Sequence, residues 1–208
     1  MAGIAYMYRT AGPSQSHGYL FPVVRHFLRD LPAGSAVLDL GCGNGSFLAL
    51  FQSYGWTLHG TDFSPTGIQL AHENFPLIDF FLADGSTSSS DFLQKVGVVD
   101  AIISTEVIEH IYDPRSFLRN AFDLLKPGGV LVISTPYHGY LKNLALAATG
   151  KLDRHFTALW DHGHIKFWSR STLSRALTEA GFTDIQFQGA GRAPYLWKSM
   201  VLKATRPL

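Results

Sequence analysis

The chain has 208 residues, which suits one domain with a substantial buried core. Charged residues make up 16% of it and the formal net charge is +1, so the basic excess of a nucleic-acid-binding protein is missing. Cys42 is the only cysteine, which excludes an intrachain disulfide and a cysteine-cluster metal site. With no run of about 18 apolar residues that could span a membrane, we expect a soluble, cytoplasmic protein.

The first elements along the chain form a β-α-β unit preceded by a helix. Apolar residues recur at helical spacing from Ser16 to Leu28, which predicts an amphipathic helix. The strand Ala36–Leu40 follows, and a helix near Ser46–Tyr54 leads to a second strand, Trp56–Thr61, which ends at Asp62.

A glycine-rich turn joins the first strand to the next helix. Gly41, Gly43 and Gly45 alternate with other residues, so a ligand could lie against bare backbone and meet N–H groups of the next helix. A dinucleotide site has the different order G-x-G-x-x-G. Asp39, two residues before the first glycine, would repel phosphates and attract an ammonium or a sulfonium group. S-adenosylmethionine carries both of these cations.

Strands and helices continue to alternate through the rest of the chain. Asp113 precedes Pro114 as a helix cap, and a Lys-Pro-Gly-Gly segment ends that helix at 126–129. Ser171 is the predicted cap of a later helix that stops at Gly181. The order predicts an α/β fold, an open, doubly wound, mostly parallel sheet with helices on both faces. The other predicted elements are the helix Pro65–Asn74 and the strands Ile78–Ala83, Val98–Ser104, Val130–Ser134, Thr183–Gln188 and Lys198–Ala204.

Five segments at family-like spacing resemble the class I S-adenosylmethionine-dependent methyltransferases. They cover roughly residues 35 to 190 and are Val37–Leu48, Thr57–Asp62, Phe81–Gly85, Ala101–His110 and Leu125–Pro136. The resemblance implies a single Rossmann-like domain over 1–208, with a seven-stranded sheet whose last strand is antiparallel. It also implies that residues 1–30 form a helix that covers the cofactor.

The resemblance assigns cofactor roles to residues at the ends of the strands. The Asp62 carboxylate would accept hydrogen bonds from both ribose hydroxyls, and Phe63 would pack on the adenine; a helix-capping role is the alternative for Asp62. Asp84 would accept from the adenine amino group, unless it is an ordinary turn aspartate. The predicted cofactor residues are Asp39, Gly41, Cys42, Gly43, Gly45, Asp62, Phe63, Asp84, Gly85, Ser104 and Thr105.

A cluster of acidic residues and histidine follows the fourth strand. If the chain turns helical there, Glu106, Glu109 and His110 share one face. The pattern is similar to that of the ubiquinone-biosynthesis O-methyltransferases. It also resembles a motif of the plant small-RNA terminal methyltransferases, and in those RNA enzymes the motif and a later histidine hold magnesium. That implies a magnesium or zinc site formed with His164. Two alternatives stay open: His110 acts as a general base with Glu109 beside it, or the pair is polar packing at a helix start.

A segment of about 35 residues separates the fifth strand from the next long helix, far beyond the usual connection of roughly 4–6. Residues 136–168 are therefore predicted to be a lid. Its aromatic walls suit a small, flat, aromatic or apolar acceptor. Leu141–Ala148 could be a helix that touches a bilayer or a second copy in a homodimer, although core packing is the favoured role. The lid rings are Tyr137, His138, Tyr140, His155, Phe156, Trp160, His162, His164, Phe167 and Trp168.

These features together predict methyl transfer from S-adenosylmethionine to a hydroxyl group of a small molecule. An RNA-terminal methyltransferase is the first alternative, although the nearly neutral charge fits it poorly and no nucleic-acid partner is expected. A non-catalytic cofactor-binding module is the second, and a nicotinamide dehydrogenase is the third.

Overall fold

A computed structural model describes residues 7–83, 93–156, 158–160 and 163–208. In this part of the chain seven strands form one sheet in the order β3-β2-β1-β4-β5-β7-β6. The β7 strand is antiparallel to both of its neighbours, and the pairs among β1 to β5 are parallel. The predicted sheet is confirmed. The strands are β1 (Ala36–Leu40), β2 (Thr57–Asp62), β3 (Asp79–Leu82), β4 (Val99–Thr105), β5 (Leu125–Pro136), β6 (Thr183–Ala190) and β7 (Ser199–Thr205).

Helices cover both faces of the sheet. Alternate residues of β4 point to opposite sides, so Ile103 joins the apolar cluster around α1 and Ile102 joins the cluster around α3 and α6. The described helices are α1 (His17–Phe27), α2 (Pro65–Asn74), α3 (Pro114–Leu124), α4 (Tyr140–Ala148), α5 (Leu152–Phe156) and α6 (Arg170–Glu179). Not one of them is long and apolar enough to cross a membrane.

Several local predictions differ from the structure. The segment after the glycine turn is a 3₁₀ helix, Leu48–Tyr54, where Phe51 packs on the rings of Tyr54 and Trp56. The side chain that caps α6 is Ser169, whose hydroxyl accepts from the backbone N–H of Thr172, so the prediction of Ser171 is wrong. The helix α4 contains no buried residue, so the prediction that it packs in the core is also wrong.

Candidate active site

A cavity of about 1020 Å³ lies beyond the carboxyl ends of β1, β2 and β4. Between β1 and β4 the strand order reverses direction, which is where open α/β sheets bind ligands. The walls of this cavity come from residues before α1, from the glycine turn and from part of the lid. The sequence-predicted site residues that line it are Asp39, Gly41, Cys42, Gly43, Asp62, Phe63, Thr105, Glu106, Glu109, His110 and His164.

Two of the predicted cofactor residues that the structure describes, Gly45 and Ser104, are not found in this wall. Gly45 has φ 76°, and a Cβ there would come within 2.6 Å of the Phe80 ring, so this glycine permits packing behind the turn. The Ser104 hydroxyl is fully buried and donates to the carbonyl oxygen of Leu40 at 2.8 Å. Asp84 and Gly85 lie outside the described residues.

Asp39 is buried at the end of β1, and its Oδ1 has no hydrogen-bond partner among the described residues. Burial, and then the nearby charge of Asp62, raise the pKa of this carboxyl to about 8. A cationic ligand group would compensate the buried charge. The orphaned oxygen in the cavity wall therefore fits the ammonium or sulfonium of S-adenosylmethionine.

Asp62 ties the glycine turn to the end of β2. Its Oδ2 accepts from the backbone N–H of Gly43 and its Oδ1 from that of Ser64, both at 2.8 Å. Burial raises the pKa of this carboxyl, while these N–H groups lower it. Each oxygen keeps a second lone pair, so ribose hydroxyls can still bind. Phe63 beside it is 52% exposed, which leaves its ring available for stacking.

Residues before α1 fold over the glycine turn. The Tyr8 ring lies against Gly43, so a Cβ on this glycine would collide with it. The Asn44 side-chain amide donates to the carbonyl oxygens of Thr10 at 2.8 Å and Gly12 at 3.0 Å. Neither Tyr8 nor Asn44 was predicted from the sequence as a site residue. The position of Asn44 between two motif glycines was the available signal.

Glu109, His110 and His164 meet in the wall of the same cavity. The Oε1 of Glu109 lies 4.0 Å from the Nε2 of each histidine, and one candidate ligand atom from each residue lies within 4.8 Å of the others. His164 lies in this cluster because the backbone carbonyl of Glu109 accepts hydrogen bonds from the N–H groups of Ile165 and Lys166. The Nδ1–H of His110 donates to the carbonyl oxygen of Gly163 at 3.2 Å, which leaves the lone pair on Nε2.

The electrostatics of this cluster favour a cation or a proton. Glu109 is 1% exposed, and among the described residues neither carboxylate oxygen has a hydrogen bond of ordinary length and angle. Burial, and then the charge of Glu106, raise the pKa of Glu109 well above its usual value. Burial and the charges of His110 and His155 lower the pKa of His164 to about 4, so this imidazole is neutral at pH 7.

Glu106 does not join the cluster, contrary to the prediction of one shared helical face. It has φ 56°, and the 3₁₀ turn begins only at Ile108. Its oxygens accept from the hydroxyl groups of Ser134 at 2.7 Å and Ser199 at 3.0 Å. Burial raises the pKa of Glu106 and these hydroxyls and Lys142 lower it, so that the pKa is about 7. Glu106 is therefore corrected from a metal ligand to a member of a hydroxyl network, and sequence analysis missed both serines.

Comparison with known proteins identifies the family. A family model described as a methyltransferase domain matches residues 14–186, so the chain belongs to this family and is an S-adenosylmethionine-dependent methyltransferase. It is 28% identical over 184 residues to a ubiquinone biosynthesis O-methyltransferase of Cereibacter sphaeroides, covering 84% of this chain and 73% of the relative. The enzyme of that name from Chelativorans sp. is 32% identical over 172 residues, and the match covers 76% of this chain and 65% of the relative.

Solved structures share the fold. The N-methyltransferase NodS from Bradyrhizobium japonicum, solved with S-adenosyl-L-homocysteine, superposes with a TM-score of 0.65 at 19% identity, covering 93% of this chain and 87% of that one. The [4+2]-cyclase SpnF gives a TM-score of 0.72 at 16% identity, covering 100% of this chain and 88% of that one. Since one of these neighbours is a cyclase, the fold alone does not define the acceptor chemistry.

Proposed function

We propose that the protein transfers the methyl group of S-adenosylmethionine to a hydroxyl of a small molecule, in the cytoplasm. One observation carries the proposal: the Glu109–His110–His164 cluster opens into the same cavity as Asp39 and the glycine turn. A hydroxyl held at the cluster would thus lie near groups that can take its proton. The names of the curated relatives support oxygen as the acceptor atom.

Bound cofactor would supply an electrophilic methyl group on a sulfonium. We propose that Asp39 faces its cationic groups, that Asp62 accepts from its ribose hydroxyls, and that Phe63 packs on its adenine. The segment at 7–16 would keep water out, which favours in-line attack at a positioned methyl carbon. Within a single domain, residues 1–30 would then act as the cofactor cover and residues 136–168 as the acceptor lid.

On the acceptor side, the proton would pass to the cluster. The Nε2 of His110 is oriented by the hydrogen bond from Nδ1 to Gly163, and it faces the buried carboxyl of Glu109. A protonated His110 would be stabilised by that carboxyl, which makes the pair a suitable general base. His164 would hold the hydroxyl from the other side as a neutral imidazole.

A divalent cation is a second way in which the same side chains could act. Two imidazoles and one carboxylate match the donor set of catalytic zinc sites, and a cation would compensate the buried charge of Glu109. We propose that Glu109, His110 and His164 hold magnesium or zinc, without Glu106. The cation would lower the pKa of the acceptor hydroxyl.

Removal of the cation tests this part of the proposal. We expect a chelator to reduce turnover at least about tenfold, and added zinc or magnesium to restore it, because a metal-activated hydroxyl loses its proton at neutral pH. Cofactor affinity, measured by calorimetry with and without chelator, is the control and should not change. Turnover that is indifferent to chelator would remove the cation and leave His110 as the base.

The acceptor class is tested with a panel of catechols, phenols, amines, carboxylates and short RNA. We expect S-adenosylhomocysteine to form with the hydroxyl compounds. Product with RNA alone, with binding that weakens steeply as salt increases, would favour the nucleic-acid alternative. Cofactor binding without product from any acceptor would favour a non-catalytic module.

Proton release on cofactor binding tests the role of Asp39. The pKa of its carboxyl is about 8 in the free protein, so at pH 7 it is mostly protonated. Binding an ammonium ion favours the ionised form, so affinity for S-adenosylhomocysteine should rise from pH 6 to 8 and then level off. Calorimetry at pH 7 in buffers of different ionisation enthalpy should show about one proton released. We expect Asp39→Asn to abolish the release; equal release from this variant would contradict the assignment.

A further inference from the structure

A second cleft, of about 540 Å³, lies beside α4 and α5 of the lid and is lined by none of the proposed cofactor residues. Three of its rings pack edge to face. His138 and Phe167 have centroids 5.2 Å apart at 85°, and Phe156 and Phe167 have centroids 4.9 Å apart at 80°. The remaining walls include Asn143, Ala158 and His164. Such walls offer aromatic faces and edges to a flat ligand.

No carboxylate, lysine or arginine is among the described residues that line the cleft. Burial lowers the pKa of His138 to about 4, helped by the positive charges of His155 and Lys142. The side chain of Asn143 adds an uncharged amide beside the His138 imidazole. Because Lys142 adds a positive potential, a cationic ligand is disfavoured, whereas an uncharged ring is accepted.

His164 connects this cleft to the proposed active site. Its ring belongs to the walls of both cavities, and its Nε2 lies 4.0 Å from the Oε1 of Glu109. A molecule whose hydroxyl group is held at the Glu109 cluster would therefore contact a residue that also lines the cleft.

We propose that the cleft is a specificity site for hydroxyl compounds that carry a second, uncharged aromatic ring, and that His138, Phe156 and Phe167 bind this ring. The inference rests on the proposed function only in placing the methylated hydroxyl at the Glu109 cluster. Phe167 is the most informative residue to change, because it contacts both other rings and is 47% exposed, so truncation should disturb the fold little.

The test compares catechol with 4-phenylcatechol as probes, by calorimetry on protein saturated with S-adenosylhomocysteine. Phe167→Ala should weaken 4-phenylcatechol about tenfold and catechol less than about twofold, because only the larger probe reaches the cleft. Phe156→Ala should act in the same direction. The matched control is Leu144→Ala, which removes an apolar side chain of similar exposure, 52%, on α4 outside the cleft, and should change neither affinity.

Equal weakening of both probes by Phe167→Ala, or no weakening, would overturn the proposal. So would tight binding of 4-(2-aminoethyl)catechol, whose cationic tail the cleft should reject. Turnover is measured separately, so the two proposals can fail independently. If the variants selectively lose 4-phenylcatechol binding but no acceptor is methylated, the proposed function is wrong and the specificity site stands. If hydroxyl compounds are methylated but neither Phe167→Ala nor Phe156→Ala affects 4-phenylcatechol binding, the specificity site is wrong and the proposed function stands.

Discussion

Replacing His110 with alanine is expected to lower kcat by about 10²–10⁴-fold, the usual contribution of a positioned acid or base. The loss arises under either form of the proposal, because the Nε2 of His110 faces Glu109 and His164 whether it takes a proton or holds a cation. Affinity for S-adenosylhomocysteine should change less than about threefold, since His110 is not among the residues proposed to hold the cofactor.

His26→Ala is the matched control, because it removes an exposed imidazole from α1 whose only described hydrogen-bond partner is Arg29. This variant should keep wild-type turnover. If His110→Ala retains full activity with every acceptor that the wild type methylates, the cluster is not the catalytic site. A loss of cofactor affinity as large as the loss of turnover would instead indicate a general collapse of the cavity.

Replacing Asp62 with alanine should weaken S-adenosylhomocysteine binding about 100-fold. The substitution removes the acceptor of the Gly43 and Ser64 N–H groups together with the proposed ribose contacts, and hydrogen bonds to a charged group contribute about 1.5–3 kcal/mol each. Asp62→Asn should fall between the wild type and Asp62→Ala, since its amide oxygen can still accept. Affinity is measured by calorimetry.

Asp79→Ala provides the comparison, because this aspartate at the start of β3 is 70% exposed and pairs with His59 away from the cavity. The affinity of Asp79→Ala for S-adenosylhomocysteine should equal that of the wild type. Unchanged affinity of Asp62→Ala would refute the ribose assignment. Circular dichroism of each variant separates unfolding from a local loss of binding.

Local patterns predicted the fold well. The strand Ala36–Leu40 and the helix Pro65–Asn74 have their predicted bounds, because the apolar strand and the proline after Ser64 are signals within a few residues. Asp113 likewise caps α3, with its side chain accepting from the N–H of Ser116. Asp39 and Asp62 reached the cavity because parallel strands end at one edge of the sheet.

Features that depend on distant packing were missed. The spacing of Glu106 and Glu109 indicated one helical face, but serines from β5 and β7 hold Glu106 in a left-handed conformation. Gly45 was predicted to be a cofactor residue, yet its lack of a side chain makes room for the ring of Phe80 on β3. The residues next to Glu106 and Gly45 in the sequence form no pattern that predicts contacts with such distant residues.

The reversed direction of β7 has a consequence for protein engineering. Because this strand runs opposite to β5, its first residue, Ser199, reaches the rim where β4 ends, and it links Glu106 to Tyr19 of α1. Shortened variants that delete β7 would thus lose a hydrogen-bond partner of Glu106 as well as a strand. Libraries aimed at new acceptors should accordingly sample positions around 199 together with those of the lid.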